Sequence, residues 1–370
     1  MKKRIAIWIH GGVGTGHFSQ GYPPLEKLLI ELSRYFEVVV YSQSPVSPDF
    51  HPPNFNIRTA SARLKGGVLR WLSLFAYFMR DHLAKKFDTI FAFWGYPSGF
   101  LATCLSKITG VPCAVYILGS DAAGIPSIDF GIFHKPLPRR LAMWTYNKAA
   151  LLLTISNYQQ KQLKEFGLTK PITTIPWGAE TALYNFSSKI RGEVLRIIHV
   201  GHLTPVKDQA TMLRAVALIA KDHHVELRIF GVDCMNGAIQ KLCRELKIER
   251  SVRFLDMVPY HNMPEQYAWA DIMLHTSLSE GQSMALTEAA ACGVLLAGTK
   301  VGLLYDLGEN CGITVETGDF EGLASKVLAI IHDAGGWSIK VQQAKSWSES
   351  HDLSWTVNKL VSMLNDLALR

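Results

Sequence analysis

Short runs of aliphatic, β-branched and aromatic residues alternate along this chain with longer segments of helical periodicity. In the first half the runs lie at residues 5–9, 38–41, 89–93, 114–118 and 151–155, and in the second half at 195–200, 226–230, 252–255, 271–276 and 294–298. This alternation predicts parallel sheets built from βαβ units, because each parallel connection needs a crossover of helix length. The series starts again near residue 194, so we expect two sheets.

Each half opens with the same order of elements, namely a hydrophobic strand, a loop that contains glycine, and a helix. The first opening is RIAIWIHGGVGTGHFSQGYPPLEKLLIELS and the second is LRIIHVGHLTPVKDQATMLRAVALIA. We therefore predict an α/β fold of two Rossmann-like domains in tandem that face a cleft. The predicted boundaries are 1–185 and 186–352. Residues 353–370 form an amphipathic helix that can pack on either domain, and we group it with the first.

Composition favours a cytoplasmic protein. The six cysteines include no C-x-x-C pair, the first residues contain too short an apolar run for a secretory signal, and no window is apolar enough to cross a bilayer. The formal charge of +7 favours anionic partners, and basic aromatic segments lie at 58–86 and 133–148. Two interpretations remain open for these segments: peripheral contact with an anionic membrane at its inner face, or ordinary helices with aromatic residues packed inward. We expect no nucleic-acid partner, because no binding motif accompanies the charge.

The stretch SLSEGQSMALTEAAACG, residues 277–293, carries the most specific site signal. Ser283 is a predicted N-cap, a helix is expected from about Met284, and Gly293 suits its end. The backbone N–H groups of Gly281, Gln282, Ser283 and Met284 would then suit a diphosphate. Glu280 and Glu288 would repel such an anion unless they bound hydroxyl groups. Sugar and ribose hydroxyls flank the diphosphate of a nucleotide-sugar, so the pattern suits that ligand.

This E-x7-E pattern resembles the family-4 glycosyltransferases of the GT-B fold. Further segments occur in the family's order, namely GHLTPVKDQATML, RIFG, VRFLDMVPY and ADIMLHTSLSEGQSMALTEAAACG. The resemblance implies that Glu280 contacts the transferred sugar and Glu288 the ribose hydroxyls. It also implies Lys207 at the donor diphosphate. His202 stands where the family has Arg, which would either weaken phosphate binding or make it depend on pH.

In the first half, the loop HGGVGTGH fails the strict dinucleotide pattern G-x-G-x-x-G. The resemblance places Gly12 and Gly14 beside the donor phosphates. His17 is either an acceptor contact or a structural residue. In YILGSDAAGIP, Leu118 stands where the family has His, and Asp121 is our candidate for a catalytic contact with the acceptor, with a turn-forming role as the alternative.

The resemblance therefore implies a metal-independent hexosyltransferase that moves a sugar with retention of configuration from a UDP- or GDP-linked donor, without a cofactor. No D-x-D motif stands in a suitable loop. We expect a glycan or lipid-linked acceptor in cell-surface polysaccharide or lipopolysaccharide synthesis. The departures at His202 and Leu118 leave open a nucleotide-sugar-binding partner with little or no catalysis. A dehydrogenase is disfavoured, because VVVYSQ has no acidic residue at the end of the second strand.

Overall fold

The computed structural model describes residues 2–14, 22–47, 50–60, 67–185 and 192–369. The chain divides into two compact units. The first unit comprises Met1–Ile155, Gln159–Pro176 and Trp355–Arg370, and the second comprises Ser156–Tyr158 and Trp177–Ser354. The C-terminal segment from Trp355 onward therefore belongs with the first unit.

The first unit contains a parallel sheet of seven strands in the order β3-β2-β1-β4-β5-β6-β7. Its strands are β1 (Arg4–Ile9), β2 (Glu37–Ser42), β3 (Asn56–Thr59), β4 (Thr89–Phe93), β5 (Cys113–Ile117), β6 (Leu151–Thr154) and β7 (Thr173–Thr174). The helices with residues in this unit are α1 (Pro23–Tyr35), α2 (Gly67–Ala84), α3 (Phe100–Thr109), α4 (Pro136–Lys148), α5 (Asn157–Glu165) and, at the end of the chain, α13 (Leu353–Leu367). Strands β1 and β4 are buried on both faces, which explains their nearly continuous apolar sequences.

The second unit contains a parallel sheet of six strands in the order β10-β9-β8-β11-β12-β13. Its strands are β8 (Leu195–Val200), β9 (Val225–Phe230), β10 (Val252–Leu255), β11 (Ile272–His275), β12 (Leu295–Thr299) and β13 (Gly312–Val315). The helices are α6 (Gln209–Ile219), α7 (Ala238–Glu245), α8 (Met263–Trp269), α9 (Met284–Ala291), α10 (Gly302–Cys311), α11 (Phe320–Ile331) and α12 (Ala334–Ser350). Two hydrophobic clusters cover the two faces of this sheet, one around Leu227 and Leu274 and one around Met273 and Leu296.

The predicted class, two Rossmann-like α/β domains in tandem, is confirmed. Every predicted run forms a strand, with bounds that differ by a residue or two. Three strands were not predicted, namely β3, β7 and β13. All three lie at an edge of their sheet.

Helix α2 covers most of the first basic aromatic segment. Leu74 and Phe78 are buried, and Phe78 packs on Tyr41 in the core of the first unit. On the opposite side, the side chains of Val68, Leu69, Leu72 and Leu83 are between 51% and 80% exposed. The aromatic side of α2 therefore faces inward, but its outward face carries an apolar stripe rather than an evenly basic surface. No helix within the described ranges has the length and apolar character needed to cross a bilayer.

Candidate functional site

The candidate site lies in the second unit, where strand order reverses between β8 and β11. These two strands are neighbours in the sheet, and the chain leaves their carboxyl ends in two loops, 201–208 and 276–283. Open parallel sheets bind ligands at such switch points, because the two loops diverge and leave a crevice there. The sheet topology therefore brings the predicted residues Lys207 and Glu280 to one place.

Hydrogen bonds tie the two loops together. The Leu278 N–H donates to the Val206 carbonyl at 2.8 Å, and the Thr276 hydroxyl donates to the Asp208 carbonyl at 2.9 Å. Asp208 also caps helix α6, because its side chain accepts a hydrogen bond from the Thr211 N–H. Lys207 thus stands directly before a capped helix on a loop that is braced by its neighbour.

Lys207 and Glu280 form an ion pair across the two loops. The Lys207 Nζ lies 2.5 Å from Glu280 Oε1, and the two side chains are 22% and 13% exposed. The same oxygen accepts hydrogen bonds from the Ser277 hydroxyl at 2.7 Å and from His275 Nε2 at 3.1 Å. None of the described residues donates a hydrogen bond to the other oxygen, Oε2, so Oε2 is the one left for a ligand.

The charge of Glu280 is well supported by its surroundings. Burial alone would raise the pKa of this carboxyl group, but the ammonium of Lys207 and the hydrogen bond from His275 outweigh burial and hold its pKa far below the ordinary value. Glu280 is therefore a charged acceptor that is suited to hydroxyl groups.

Helix α9 begins at Met284, as predicted, and Gly293 follows its end with φ 75°. Ser283 occupies the N-cap position, but its side chain forms no capping hydrogen bond. The side-chain amide of Gln282 is already engaged, because it exchanges two hydrogen bonds of 2.8 Å with the backbone of Trp177. The predicted contribution of Ser283 and Gln282 to an anion site is therefore limited to their backbone.

That backbone is suited to an anion. Within the described parts of the chain, no acceptor pairs with the N–H groups of residues 281–286, which follow Glu280 directly. Unpaired N–H groups at the start of a helix attract phosphate through their hydrogen atoms and through the helix dipole.

Glu288 lies in α9 and is buried, with 6% of its surface exposed. The Tyr267 hydroxyl donates to Glu288 Oε2 at 2.9 Å. Burial raises the pKa of Glu288 to about 8, although the hydroxyl groups of Tyr267 and Tyr184 act in the opposite direction. Glu288 is therefore mostly protonated at neutral pH in the free protein.

His202 lies in the loop after β8. Its Nδ1 accepts a hydrogen bond from the Val232 N–H at 3.1 Å, so a neutral ring must carry its proton on Nε2. Desolvation and the nearby ammonium of Lys207 lower the pKa of His202. The residue is therefore a neutral N–H donor near neutral pH rather than a substitute positive charge.

The predicted residues of the first unit have different surroundings. Gly12 and Gly14 have φ angles of 91° and 63°, which glycine adopts without strain, in the loop after β1. His17 lies outside the described residues.

Asp121 is almost completely buried, and its two oxygens accept hydrogen bonds from the N–H groups of Gly95 at 2.7 Å, Gly119 at 2.8 Å and Leu118 at 3.3 Å. These bonds use the carboxylate to hold the backbone after β4 and β5. This arrangement fits the turn-forming alternative, and the contact of Asp121 with the acceptor stays a prediction.

Sequence reasoning missed His275 and Ser277, which complete the surroundings of Glu280. Both residues stand in the quoted run DIMLHTSLSEG, at the end of a predicted strand. Polar residues at the carboxyl end of a central strand were the available signal, since that end carries the ligand in doubly wound sheets.

Two family models match consecutive parts of the chain. The model described as Glycosyltransferase Family 4 matches residues 26–183, and the model described as Glycosyl transferases group 1 matches residues 195–333. The chain belongs to the family-4-like glycosyltransferases. The resemblance inferred from the sequence is thereby confirmed.

Among curated proteins, this family-4-like glycosyltransferase is similar to the N-acetyl-alpha-D-glucosaminyl L-malate synthase of Bacillus anthracis. The two are 31% identical over 139 residues, which is 37% of this chain and 36% of that protein. Across several such relatives, the matched region spans between 24% and 39% of their length.

Solved structures match over almost the whole chain. Sucrose-phosphate synthase from Thermosynechococcus elongatus has a TM-score of 0.82 at 16% identity, with 99% of each chain covered. HepE from Anabaena in complex with UDP-glucose has a TM-score of 0.77 at 19% identity, with 98% of this chain and 99% of that chain covered. These likenesses establish that this glycosyltransferase has the GT-B fold.

Proposed function

We propose that this protein transfers a sugar from a nucleotide-sugar to a glycan or lipid-linked acceptor, with retention of configuration and without a metal ion. The observation that carries the proposal is the Lys207–Glu280 pair at 2.5 Å beside unpaired N–H groups at the switch point of the second sheet. A cation, helix N–H groups and a charged hydroxyl acceptor are the groups that a sugar diphosphate needs. The complex of HepE with UDP-glucose supports a donor of this class.

Each residue has a stated part in the proposed reaction. The bond between the anomeric carbon and the diphosphate oxygen breaks, and its electron pair leaves with the nucleoside diphosphate. Lys207, the N–H groups of residues 281–286 and the Nε2–H of His202 stabilise that negative charge. The acceptor oxygen bonds to the anomeric carbon on the face that the leaving group vacates, and its proton passes to a leaving-group oxygen.

The two glutamates are assigned to hydroxyl groups of the donor. Glu280 Oε2, which has no donor among the described residues, accepts from a hydroxyl of the transferred sugar. Glu288 pairs with the ribose hydroxyls. Because Glu288 is mostly protonated before binding, pairing as a carboxylate requires it to release its proton when the donor binds.

A second candidate function is nucleotide-sugar binding with little or no catalysis. The observation in its favour is that the carboxylate of Asp121 is occupied by backbone N–H groups and that Leu118 supplies no imidazole. Turnover on any acceptor separates the two candidates.

We propose that the protein meets its acceptor at the cytoplasmic face of a membrane. The outward face of α2 carries the apolar stripe of Val68, Leu69, Leu72 and Leu83, and basic residues accompany it at Arg70, Arg80, Lys85 and Lys86. Apolar side chains flanked by basic ones suit the interface of an anionic bilayer. This arrangement supports a lipid-linked acceptor in cell-surface polysaccharide or lipopolysaccharide synthesis.

Calorimetric titration with UDP-, GDP- and ADP-sugars in metal-free buffer tests the proposal. We expect the wild-type protein to bind one nucleotide class and Glu288→Ala to lose at least about tenfold in affinity, which is the range for one hydrogen bond to a charged group. Glu245→Ala is the matched control, because Glu245 is a well-exposed glutamate on a helix of the same unit. If the wild-type protein binds none of these donors, the proposal fails. Equal binding by Glu288→Ala removes only the ribose assignment.

A further inference from the structure

We infer that His275 is a positioning residue, which holds Glu280 through a neutral Nε2–H donor so that one carboxylate oxygen is occupied by the protein and the other faces the sugar. This inference rests on the proposed function and assigns a role to a residue that the sequence did not single out. Its basis is the hydrogen-bond pattern around a fully buried imidazole at the end of β11.

His275 is held tightly in place by its strand. Its side chain has no exposed surface. Strand β12 runs alongside, with Gly298 opposite His275 in the register. A Cβ atom on Gly298 would lie 1.8 Å from the His275 carbonyl oxygen, so only glycine permits this close approach. The Thr299 hydroxyl donates to the Ser277 carbonyl at 2.6 Å, which fixes the next turn of the loop.

The hydrogen-bond partners determine where the imidazole carries its proton. Nε2 lies 3.1 Å from Glu280 Oε1 and 3.2 Å from the Ser277 oxygen. Ser277 has one hydroxyl hydrogen, which it donates to Glu280 at 2.7 Å, so its oxygen can only accept from His275. Both neighbours of Nε2 are therefore acceptors, and Nε2 must carry a hydrogen atom.

The other ring nitrogen explains why His275 stays neutral. Nδ1 is buried and has no hydrogen-bond partner in the described chain, so a proton there would be a buried donor without an acceptor. The ring of His199 packs on that of His275 with 6.2 Å between their centroids, and the Nδ1 of His199 is itself hydrogen-bonded to the Leu274 carbonyl at 2.9 Å. Burial and the charge of Lys207 lower the pKa of His275, although Glu280 acts in the opposite direction.

The consequence for Glu280 is that its two oxygens are no longer equivalent. Lys207, Ser277 and His275 all converge on Oε1, and this fixes the rotation of the carboxylate group. Oε2 is then presented in one orientation before any ligand arrives. Pre-orientation of this kind lowers the free-energy cost of positioning a sugar hydroxyl.

Two substitutions of His275 separate the effect of its hydrogen-bond donor from the effect of its shape. The amide nitrogen of glutamine can take the place of Nε2. That of asparagine takes the place of Nδ1, which has no hydrogen-bond partner among the described residues. We expect His275→Gln to keep donor binding and transfer close to wild type. We expect His275→Asn to lose about ten- to a hundredfold in kcat/KM, the range of one hydrogen bond to a charged group.

The binding readout uses the nucleotide-sugar that the wild-type protein prefers and its sugar-free nucleoside diphosphate. His275→Asn should weaken binding of the nucleotide-sugar and leave affinity for the nucleoside diphosphate within about twofold, because Glu280 addresses only the sugar. Equal loss for both ligands would indicate a merely structural residue and overturn the inference. Equal behaviour of the Gln and Asn variants would also overturn it. If the wild-type protein binds neither ligand, the proposed function fails first.

A spectroscopic measurement keeps the inference testable even without turnover. In 15N-labelled full-length protein, compared with His275→Gln to assign the signal, the His275 ring should show the neutral Nε2–H tautomer from mildly acidic to mildly basic pH. The Nδ1–H tautomer or a doubly protonated ring near neutral pH would contradict the assignment.

Discussion

At the scale of single residues, Glu280 and Glu288 carry the same carboxyl group, but their pKa values are shifted in opposite directions. Both are largely buried, which raises the pKa of a carboxyl group. Glu280 has three hydrogen-bond donors on one oxygen, and one of them is the cation Lys207, so its pKa falls far below the ordinary value. Glu288 has only tyrosine hydroxyl groups for compensation, so burial prevails and its pKa rises to about 8. The two glutamates of the E-x7-E pattern therefore differ in how readily they hold a proton.

The raised pKa of Glu288 makes stability depend on pH. Between its ordinary value of 4.5 and about 8, the folded protein holds a proton that the unfolded chain has released. The free energy of unfolding of the wild-type protein should therefore fall, relative to that of Glu288→Gln, by about 1.4 kcal/mol per pH unit as pH rises through this window. The difference should be constant below the window and again above it.

Urea denaturation of both proteins at a series of pH values measures this difference. Glu245→Gln provides the control, because it makes the same chemical change at a well-exposed glutamate on a helix of the same unit. A flat difference between wild type and Glu288→Gln would mean that Glu288 is ionised throughout and that the tyrosine contacts fully compensate its burial.

The limits of sequence reasoning at this scale follow from distance along the chain. Lys207 and Glu280 could be found because each stands in a local pattern beside a strand end. The neighbours that decide the state of Glu288 lie on another helix, at Tyr267, and nothing in the local spacing points to them. Asp121 is similar: its partner Gly95 follows a different strand, so the sequence could not distinguish a turn-forming carboxylate from a catalytic one.

At the scale of elements, the apolar runs predicted the central strands and failed at three edge strands. A central parallel strand is covered on both faces, so it reads as a continuous apolar run, as TIFAF does in β4. Edge strand β3 has the sequence NIRT and no fully buried residue. Strand β7 has two residues, and β13 begins with glycine. Such segments pair because a neighbouring strand offers free backbone groups, and side-chain patterns carry little trace of that.

Helix α2 carries a prediction of its own, because its outward face leaves apolar side chains in solvent. Leu69→Glu combined with Leu72→Glu should reduce binding to vesicles that contain phosphatidylglycerol by at least about tenfold, since it removes apolar contact and adds negative charge. Because both side chains are exposed, stability should change by no more than about 0.5 kcal/mol per substitution. Vesicle co-sedimentation measures the first quantity and urea denaturation the second.

Ile339→Glu is the matched control for this experiment. Ile339 is an exposed apolar residue of comparable exposure on α12 in the second unit, so its substitution should leave vesicle binding unchanged. Wild-type protein that does not sediment with anionic vesicles, or a double variant that still does, would leave α2 as an ordinary surface helix.

At the scale of the whole molecule, the same sheet topology occurs in both units. Each unit has a parallel sheet that starts at a central strand, winds outward and then reverses, so each has one switch point, at β1 and β4 in the first sheet and at β8 and β11 in the second. The repeated opening of strand, glycine loop and helix was sufficient to predict this. It was not sufficient to predict which unit the C-terminal residues pack on, because an amphipathic stripe indicates which face of a helix is buried but not what covers it.

The assignment of the C-terminal residues leads to the last prediction. Helix α13 is bonded within the first unit, since the Lys3 ammonium donates to the Asn365 carbonyl at 2.9 Å and the Thr356 hydroxyl donates to the Pro176 carbonyl at 2.8 Å. Leu364 of this helix is fully buried. Leu364→Ala should therefore cost about 2–5 kcal/mol of stability, as other buried Leu→Ala changes do.

Which unit loses stability is a sharper test of the grouping of α13 than the size of the loss. Hydrogen exchange should speed up in the strands of the first unit for Leu364→Ala and in those of the second unit for Leu323→Ala, a substitution of an equally buried leucine in α11. Each unit has its own core, so each variant should loosen its own sheet first, although they lie fewer than fifty residues apart in sequence. If Leu364→Ala instead loosens the second sheet, then the C-terminal helix stabilises the unit that precedes it in the chain, and the grouping of α13 with the first unit is wrong.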